Sequence, residues 1–231
     1  LDDALASIAL KADCTMDAKQ MEAVTELIRC GNPNWHVLFE MLQSKSFTPA
    51  GLLMGEQYLR LLKELCRSEY PYVPFSQAFH TSRSMLLPVL YLLEQKVPPA
   101  DIYHTICTGY GGLLGVMGNL KYDRPLILTE HGIYSREREE ELIRAKWVLP
   151  AFKKRWIRFF YMLSDICYET AAAVTCLFDN ARQAQIKLGA APEKCHVISN
   201  GINYQQFSSI PATKDKSWID IGAVIRLAQI K

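Results

Sequence analysis

Glycine, charged or imidazole side chains follow three predicted strands of this 231-residue chain, at the positions where open α/β sheets bind ligands. The first segment, residues 108–112, reads Thr-Gly-Tyr-Gly-Gly. Gly111 and Gly112 allow close backbone approach to a ligand, and free amides at a helix start attract anions. A tight turn between a strand and a helix explains the same residues. Gly109-x-Gly111 also resembles a dinucleotide fingerprint, although position 114 lacks the third glycine.

The second segment, residues 129–138, places His131 just after a predicted strand, between Glu130 and Gly132. An imidazole in this position can donate to a substrate hydroxyl or share a proton with Glu130. In the dinucleotide interpretation, Glu130 is instead the ribose-binding acid. Arg136 and Arg138 are also explained as helix-surface partners of the acids that follow them.

The third segment contains two cations, Arg226 and Lys231, after a predicted strand at 219–225. Arginine offers a planar fork for phosphate oxygens, and lysine offers a mobile point charge. Together they are able to neutralise a diphosphate leaving group. The spacing by itself is weak evidence, because any loop can hold two basic residues.

Composition and missing motifs exclude several other classes of function. The net charge of +2 gives no case for a nucleic-acid partner. The chain has no Asp-x-Asp pair, no Walker loop and no Gly-x-Ser-x-Gly elbow, and its five histidines lack metal-ligand spacing. We therefore expect neither a metal nor another cofactor. The seven scattered cysteines indicate reduced thiols in a cytoplasmic protein.

One amphipathic stretch is a candidate for contact with a membrane surface. Phe152, Trp156, Phe159, Phe160 and Leu163 share a helical face, and the cations Lys153, Lys154, Arg155 and Arg158 lie mostly off it. This pattern fits an interfacial helix on an anionic membrane, but such a helix more often covers a core with its charges in water.

The candidate site residues are expected to be positioned by a helical first part of the chain and by strands that alternate with helices in the rest. The first hundred residues are predicted to be mostly helical, with starts at Asp17, Asn34 and Thr48, an apolar stripe over 52–65 and a helix over 82–95. After residue 98, strands at 102–107, 126–129, 172–177 and 196–199 alternate with helices, and Asp179 is predicted to cap the helix that ends at Gly189. This alternation predicts an α/β fold with an open parallel sheet.

The predicted division of the chain has four parts. Residues 1–98 form a helical insertion within an N-terminal domain, and 99–207 form its Rossmann-like α/β portion. A polar linker follows at 208–218, and 219–231 hold the first strand and loop of a second domain.

Several of these motifs resemble the PelF-type glycosyltransferases of Pel exopolysaccharide systems, a branch of glycosyltransferase family 4. The resemblance is carried by residues 108–115, 129–138, 156–160, 185–189 and 197–203. Its most specific parts are the Thr-Glu-His-Gly-Ile-Tyr run at 129–134 and the closing pair of Arg226 and Lys231. The helical insertion before residue 100 also fits this branch.

The resemblance implies a GT-B fold and retaining transfer of a hexose or N-acetylhexosamine from a UDP-linked donor to a growing glycan. It implies that Arg226 and Lys231 stabilise the departing diphosphate without a metal, and that His131 contacts the donor sugar. The implied substrate-binding residues are Gly111, Gly112, Glu130, Gly132 and Asn200. The implied setting is cytoplasmic, peripheral at the inner membrane, with membrane synthase subunits as partners.

Two departures from the family lead us to expect a fragment. The chain begins without methionine and lacks the opening strand with its glycine-rich loop, and the C-terminal acidic pair is also missing. We expect the chain by itself to transfer no sugar. Two rival functions stay open, namely a noncatalytic scaffold that docks to a membrane synthase and a dinucleotide-dependent oxidoreductase domain.

Overall fold

The computed structural model describes residues 15–209 and Gly222. Residues up to Ile198 belong to one compact unit, and residues from Ser199 onward belong to a second.

Between residues 15 and 98, five helices precede the sheet. They are α1 (Ala18–Arg29), α2 (Trp35–Gln43), α3 (Pro49–Met54), α4 (Glu56–Glu69) and α5 (Phe75–Leu93). The three predicted caps are confirmed, because the side chains of Asp17, Asn34 and Thr48 each accept a hydrogen bond from a backbone N–H three residues later.

Three boundaries in this region differ from the predictions. The apolar stripe over 52–65 is divided between α3 and α4, because Gly55 is extended and ends one helix where the next begins. The helix predicted over 82–95 starts seven residues earlier, at Phe75, directly after Pro74. Pro88 lies inside this helix.

Four strands and four further helices complete the first unit. They are β1 (Tyr103–Thr105), α6 (Gly109–Tyr122), β2 (Leu126–Glu130), α7 (Tyr134–Arg144), α8 (Pro150–Thr170), β3 (Ala173–Cys176), α9 (Asp179–Lys187) and β4 (Cys195–Val197). The helical region expected between the predicted strands at 126–129 and 172–177 is divided at 145–149. The predicted cap Asp179 is instead the first residue of α9, and Phe178 is the residue before it.

The strands form one parallel sheet in the order β1-β2-β3-β4. Helix α6 packs against β1 and β2, and α9 packs against β3 and β4. This arrangement is Rossmann-like and confirms the predicted α/β fold class. Because successive side chains alternate along a strand, Leu126, Leu128 and Glu130 share the buried face of β2.

A single apolar core joins the helices before the sheet to those that cover it. Helix α8 is central to this core, because Phe152, Phe159 and Leu163 are fully buried. The aromatic face of this amphipathic helix therefore covers a core. Arg155, which was grouped with the outward cations, is also buried and donates to the backbone carbonyl of Ile28. No helix within residues 15–209 is long and apolar enough to cross a bilayer.

The second unit contains α10 (Tyr204–Ser208), which Asn203 caps by accepting from the Gln206 N–H. Most of the predicted linker and strand lie outside the described residues, as do Arg226 and Lys231; Gly222 is described.

Candidate active site at the carboxyl edge of the sheet

The carboxyl ends of parallel strands meet at one edge of the sheet, where ligands of this fold class bind. Here that edge is formed by the turns at 106–108, 131–133 and 177–178, which follow β1, β2 and β3. Two of the three segments singled out in the sequence, 108–112 and 129–138, therefore belong to one edge of the sheet.

Glu130 ends β2 in the interior, with 1% of its surface exposed. Its Oε2 accepts a 2.7 Å hydrogen bond from the Tyr168 hydroxyl and a 3.1 Å bond from the Gln185 side-chain amide. These bonds fasten the end of β2 to α8 and α9. Its Oε1 makes no hydrogen bond within the described part of the chain.

Burial raises the pKa of the Glu130 carboxyl above its ordinary value, because an ionised group loses its hydration there. The hydrogen bonds from Tyr168 and Gln185 act in the opposite direction, as do weaker polar contacts with the Tyr134 backbone N–H and the Thr108 hydroxyl. Desolvation outweighs them. This carboxyl therefore favours its neutral form more than a solvated glutamate does.

His131 follows Glu130 and is exposed, as is Gly132. Only residues 131–133 separate β2 from α7, so the imidazole is held on a short turn between two regular elements. A Cβ added at Gly132 would lie 2.2 Å from a carboxylate oxygen of Glu137, a flexible side chain that can move. The exposed imidazole and the buried carboxyl thus occupy consecutive positions with opposite surroundings.

Tyr134 connects the turns after β1 and β2. A Cβ built on Gly109 would lie 2.4 Å from Cε1 of the Tyr134 ring, and Gly109 has φ of +70°. The ring also lies 5.9 Å from that of Phe160 and 5.4 Å from the Arg138 guanidinium. Glycine at position 109 therefore makes room for this ring.

Gly111 and Gly112 lie against cysteines. A Cβ at Gly111 would lie 2.9 Å from the Cys107 Sγ, and one at Gly112 would lie 2.4 Å from the Cys167 Sγ. Gly112 is buried, and its contact with α8 lets the two helices approach closely. These packing contacts account for the glycine spacing at 111 and 112.

The dinucleotide interpretation finds little support in this geometry. Its ribose-binding acid, Glu130, is buried and bonded to Tyr168 and Gln185. The space beside Gly109, where a pyrophosphate would approach, is occupied by the Tyr134 ring.

A second polar group lies on the opposite face of the sheet and was missed in the sequence. His104 Nε2 is 2.8 Å from Thr129 Oγ1, which is 2.7 Å from Thr175 Oγ1. The contacts join three neighbouring strands. Alternation along β2 separates Thr129 from Glu130, so this group lies across the sheet from the buried carboxyl.

The predicted site residues are divided among three parts of the chain. Gly111, Gly112, Glu130, His131 and Gly132 belong to the first unit, and Asn200 to the second. Arg226 and Lys231 lie outside the described residues. Within residues 15–209, no three His, Cys, Asp or Glu side chains converge as metal ligands.

Sequence reasoning missed the partners of Glu130. Strand alternation is the signal that could have found the buried carboxyl, since Glu130 continues the apolar positions Leu126 and Leu128. No comparable signal marks Tyr168 or Gln185, which lie 38 and 55 residues away.

Comparison with known proteins gives one family and one distant relative. The sequence profile of a family described as a domain of unknown function (DUF3492) matches residues 7–193. The MMP alpha-(1->4)-mannosyltransferase of Mycolicibacterium hassiacum is 26% identical over 134 residues, which are 58% of this chain and 32% of that protein. The chain thus matches about a third of that relative's length. No solved structure matches.

Proposed function

This chain belongs to the DUF3492 family, and on that premise we propose that it forms the acceptor-side, Rossmann-like part of a glycosyltransferase. Its likeness to a mannosyltransferase supports transfer of a sugar as the class of reaction. The parallel sheet with an open carboxyl edge supports this edge as the substrate-facing side.

The proposed reaction is a retaining transfer from a nucleotide diphosphate sugar to a growing exopolysaccharide. The bond between the anomeric carbon and the diphosphate breaks, and a bond from that carbon to an acceptor oxygen forms. The acceptor hydroxyl loses its proton, and the nucleoside diphosphate departs. A UDP-linked hexose or N-acetylhexosamine is the proposed donor, following the resemblance to PelF-type enzymes.

The observation that carries the proposal is the exposed imidazole of His131 at the end of β2. A ring nitrogen in this position can donate a hydrogen bond to a hydroxyl of the donor sugar. Because the turn is short and the Tyr134 ring packs on Gly109, the backbone that carries the His131 imidazole is held in place. Such preorganised donors lower the barrier of a charge-separating reaction.

Glu130 fits a supporting role better than direct substrate contact. Its carboxyl is buried and holds β2 against α8 and α9 through Tyr168 and Gln185. In the proposed enzyme it fixes the backbone from which His131 projects.

The leaving diphosphate is proposed to be stabilised by Arg226 and Lys231, without a metal. Two cations can balance the charge that develops on a departing diphosphate. Asn200 is proposed to contact the substrate from the segment that follows β4. These three assignments rest on the sequence resemblance.

Replacement of His131 by alanine in the full-length protein tests the proposal. We expect kcat/KM to fall by about 100-fold or more for the nucleotide sugar that the unmodified protein uses, since one lost donor at developing charge has this effect elsewhere. His36→Ala is the matched control, because His36 is also exposed and lies on α2, before the sheet. Circular dichroism checks that both variants fold.

Two outcomes would contradict the proposal. Activity of the His131→Ala variant within about threefold of the unmodified protein would remove His131 from the site. Failure of the full-length protein to transfer sugar from any of a panel of UDP-, GDP- and ADP-sugars, combined with binding to membrane synthase subunits, would favour the noncatalytic scaffold.

A further inference from the structure

The break between α7 and α8 displays large apolar side chains to solvent. Trp147 is 73% exposed, Ile143 58% and Leu149 42%. Scattered apolar residues are common on protein surfaces, but here three lie within seven positions, in the last turn of α7 and the loop after it. We refer to these three residues, with Lys146, Lys153 and Lys154, as the corner patch.

The corner patch is held on a fixed backbone. Val148 is buried and anchors the loop between Trp147 and Leu149. The Trp147 ring meets the Trp156 ring edge-on at 5.8 Å. Lys153 Nζ donates a 2.6 Å hydrogen bond to the Ile143 carbonyl across the break. The apolar side chains are therefore exposed on an anchored loop that is joined to the core.

Cations border the apolar side chains. Lys146 precedes Trp147, and Lys153 and Lys154 lie in the first turns of α8. Of the nearby acids on α7, Glu139 accepts a bond from the Tyr161 hydroxyl and Glu141 pairs with Arg138. Glu140 is exposed and lies three positions before Ile143.

The turn between α4 and α5 also exposes a large aromatic side chain. The rings of Tyr70 and Phe152 lie 5.1 Å apart, so the turn packs against the start of α8. Tyr72 on the same turn is 97% exposed. Beside it is a cleft of about 470 Å³ whose lining includes two cations, Lys63 and Arg67. An exposed aromatic side chain and a second pair of cations thus lie in and beside the turn that packs against the start of α8.

We propose that the corner patch docks this domain on an anionic phospholipid bilayer. Tryptophan and aliphatic side chains enter the boundary between headgroups and acyl chains, and lysines beside them are attracted to anionic lipids. The charge of the lysines favours an anionic lipid surface as the partner, because a zwitterionic surface offers them no net attraction. The docking surface is the loop at 145–149 with its flanks, and the aromatic face of α8 remains in the core.

This inference is independent of the proposed transferase activity, and its test requires no catalysis. The full chain is mixed with vesicles of phosphatidylcholine, or of phosphatidylcholine with 30% phosphatidylglycerol (about one anionic lipid in three), and bound protein is separated by sedimentation. We expect binding to the anionic vesicles, at least tenfold weaker binding to neutral ones, and a loss of binding as salt rises.

Trp147 provides a direct readout of insertion. Within the described residues, Trp35 and Trp156 are buried, so Trp147 is the tryptophan whose surroundings lipid contact would change. A Trp218→Phe background removes the signal of the tryptophan that lies outside the described residues. We expect a blue shift of emission on addition of anionic vesicles, and loss of that shift in Trp147→Phe.

Paired variants distinguish the corner patch from other surfaces. Lys146→Glu/Lys154→Glu should weaken binding to anionic vesicles by at least about 25-fold, since each cation near such a surface contributes about fivefold. Trp147→Ala should weaken it by about tenfold. Lys19→Glu on α1 and Tyr91→Ala on α5 are exposed controls that should bind as the unmodified chain does.

Three results would overturn the proposal. They are absence of binding to anionic vesicles, equal binding to both kinds of vesicle, and equal weakening by the corner-patch and control variants. Recruitment only to vesicles that carry membrane proteins would show that the patch contacts a protein instead.

Discussion

The hydroxyl of Tyr168 donates a 2.7 Å hydrogen bond to Oε2 of Glu130 across 38 positions of the chain. The bond joins the end of a strand to the last turn of a helix, and both groups are buried. The turn that carries His131 begins at the next residue. A buried polar contact therefore supports the exposed turn of the candidate site.

Tyr168→Phe removes the donor of this bond and leaves the ring in place. We expect the free energy of unfolding to fall by about 1–3 kcal/mol, because the buried carboxyl loses its shortest hydrogen bond. Urea denaturation measures the change. Tyr161→Phe is the matched control, since its hydroxyl bonds the partly exposed Glu139, and its cost should stay below about 1 kcal/mol. Equal costs for the two variants would contradict the structural importance of the buried bond.

Glu130→Gln tests the raised pKa of the buried carboxyl. The unfolded glutamate loses its proton near its ordinary pKa, and the native carboxyl loses its proton only at higher pH. In that interval the native state binds more protons, so rising pH destabilises the unmodified chain. The contribution of this carboxyl to the free energy of unfolding does not change with pH below the pKa of the unfolded glutamate or above the pKa of the native carboxyl. The glutamine variant lacks it.

The variant should therefore gain stability relative to the unmodified chain as pH rises above the ordinary pKa of glutamate. Urea titrations at several pH values measure this difference. A difference in unfolding free energy that stays the same at every pH would show that the native pKa is not raised.

Gly112→Ala tests the close contact between α6 and α8. The added methyl group would lie 2.4 Å from the Cys167 Sγ and 3.0 Å from the Cys107 carbonyl oxygen. We expect a loss of about 1–3 kcal/mol in unfolding free energy, because a packed interior has no room for it. Gly201→Ala is the control, since nothing lies within 4 Å of an added Cβ there.

A double variant identifies the atom responsible. Gly112→Ala combined with Cys167→Ala removes the sulfur that the new methyl group would meet. The pair should be less destabilised than the sum of the single changes. Strict additivity would assign the cost of Gly112→Ala to another contact.

Arg226→Ala and Lys231→Ala test the diphosphate assignment in the full-length protein. Each change should lower kcat by about 100-fold or more, because a cation at a departing diphosphate acts mainly in the transition state. Steady-state transfer from the preferred nucleotide sugar measures it. Exposed Lys19→Ala is the control. Unchanged polymerising activity in the double variant would show that these cations have another role. The 231-residue chain by itself should transfer no sugar.

The sequence by itself determined the local structure of this protein. Asp17, Asn34 and Thr48 begin helices because each side chain reaches a backbone amide only three residues away. The alternation of strands and helices after residue 98 was enough to predict a parallel α/β sheet, because each connection must cross back over the sheet. It also placed His131 just after a strand.

Only the tertiary structure decided what those residues contact. Glu130 was interpreted as a substrate acid, and its burial against Tyr168 and Gln185 depends on two helices that arrive later in the chain. Gly109 accommodates the Tyr134 ring, and Gly112 accommodates the Cys167 sulfur. Phe159 is buried while Trp147 is exposed, although both lie among cations in the sequence. The physical reason is distance along the chain. Contacts within one helical turn follow from spacing, and contacts between distant segments exist only when packing brings those segments together.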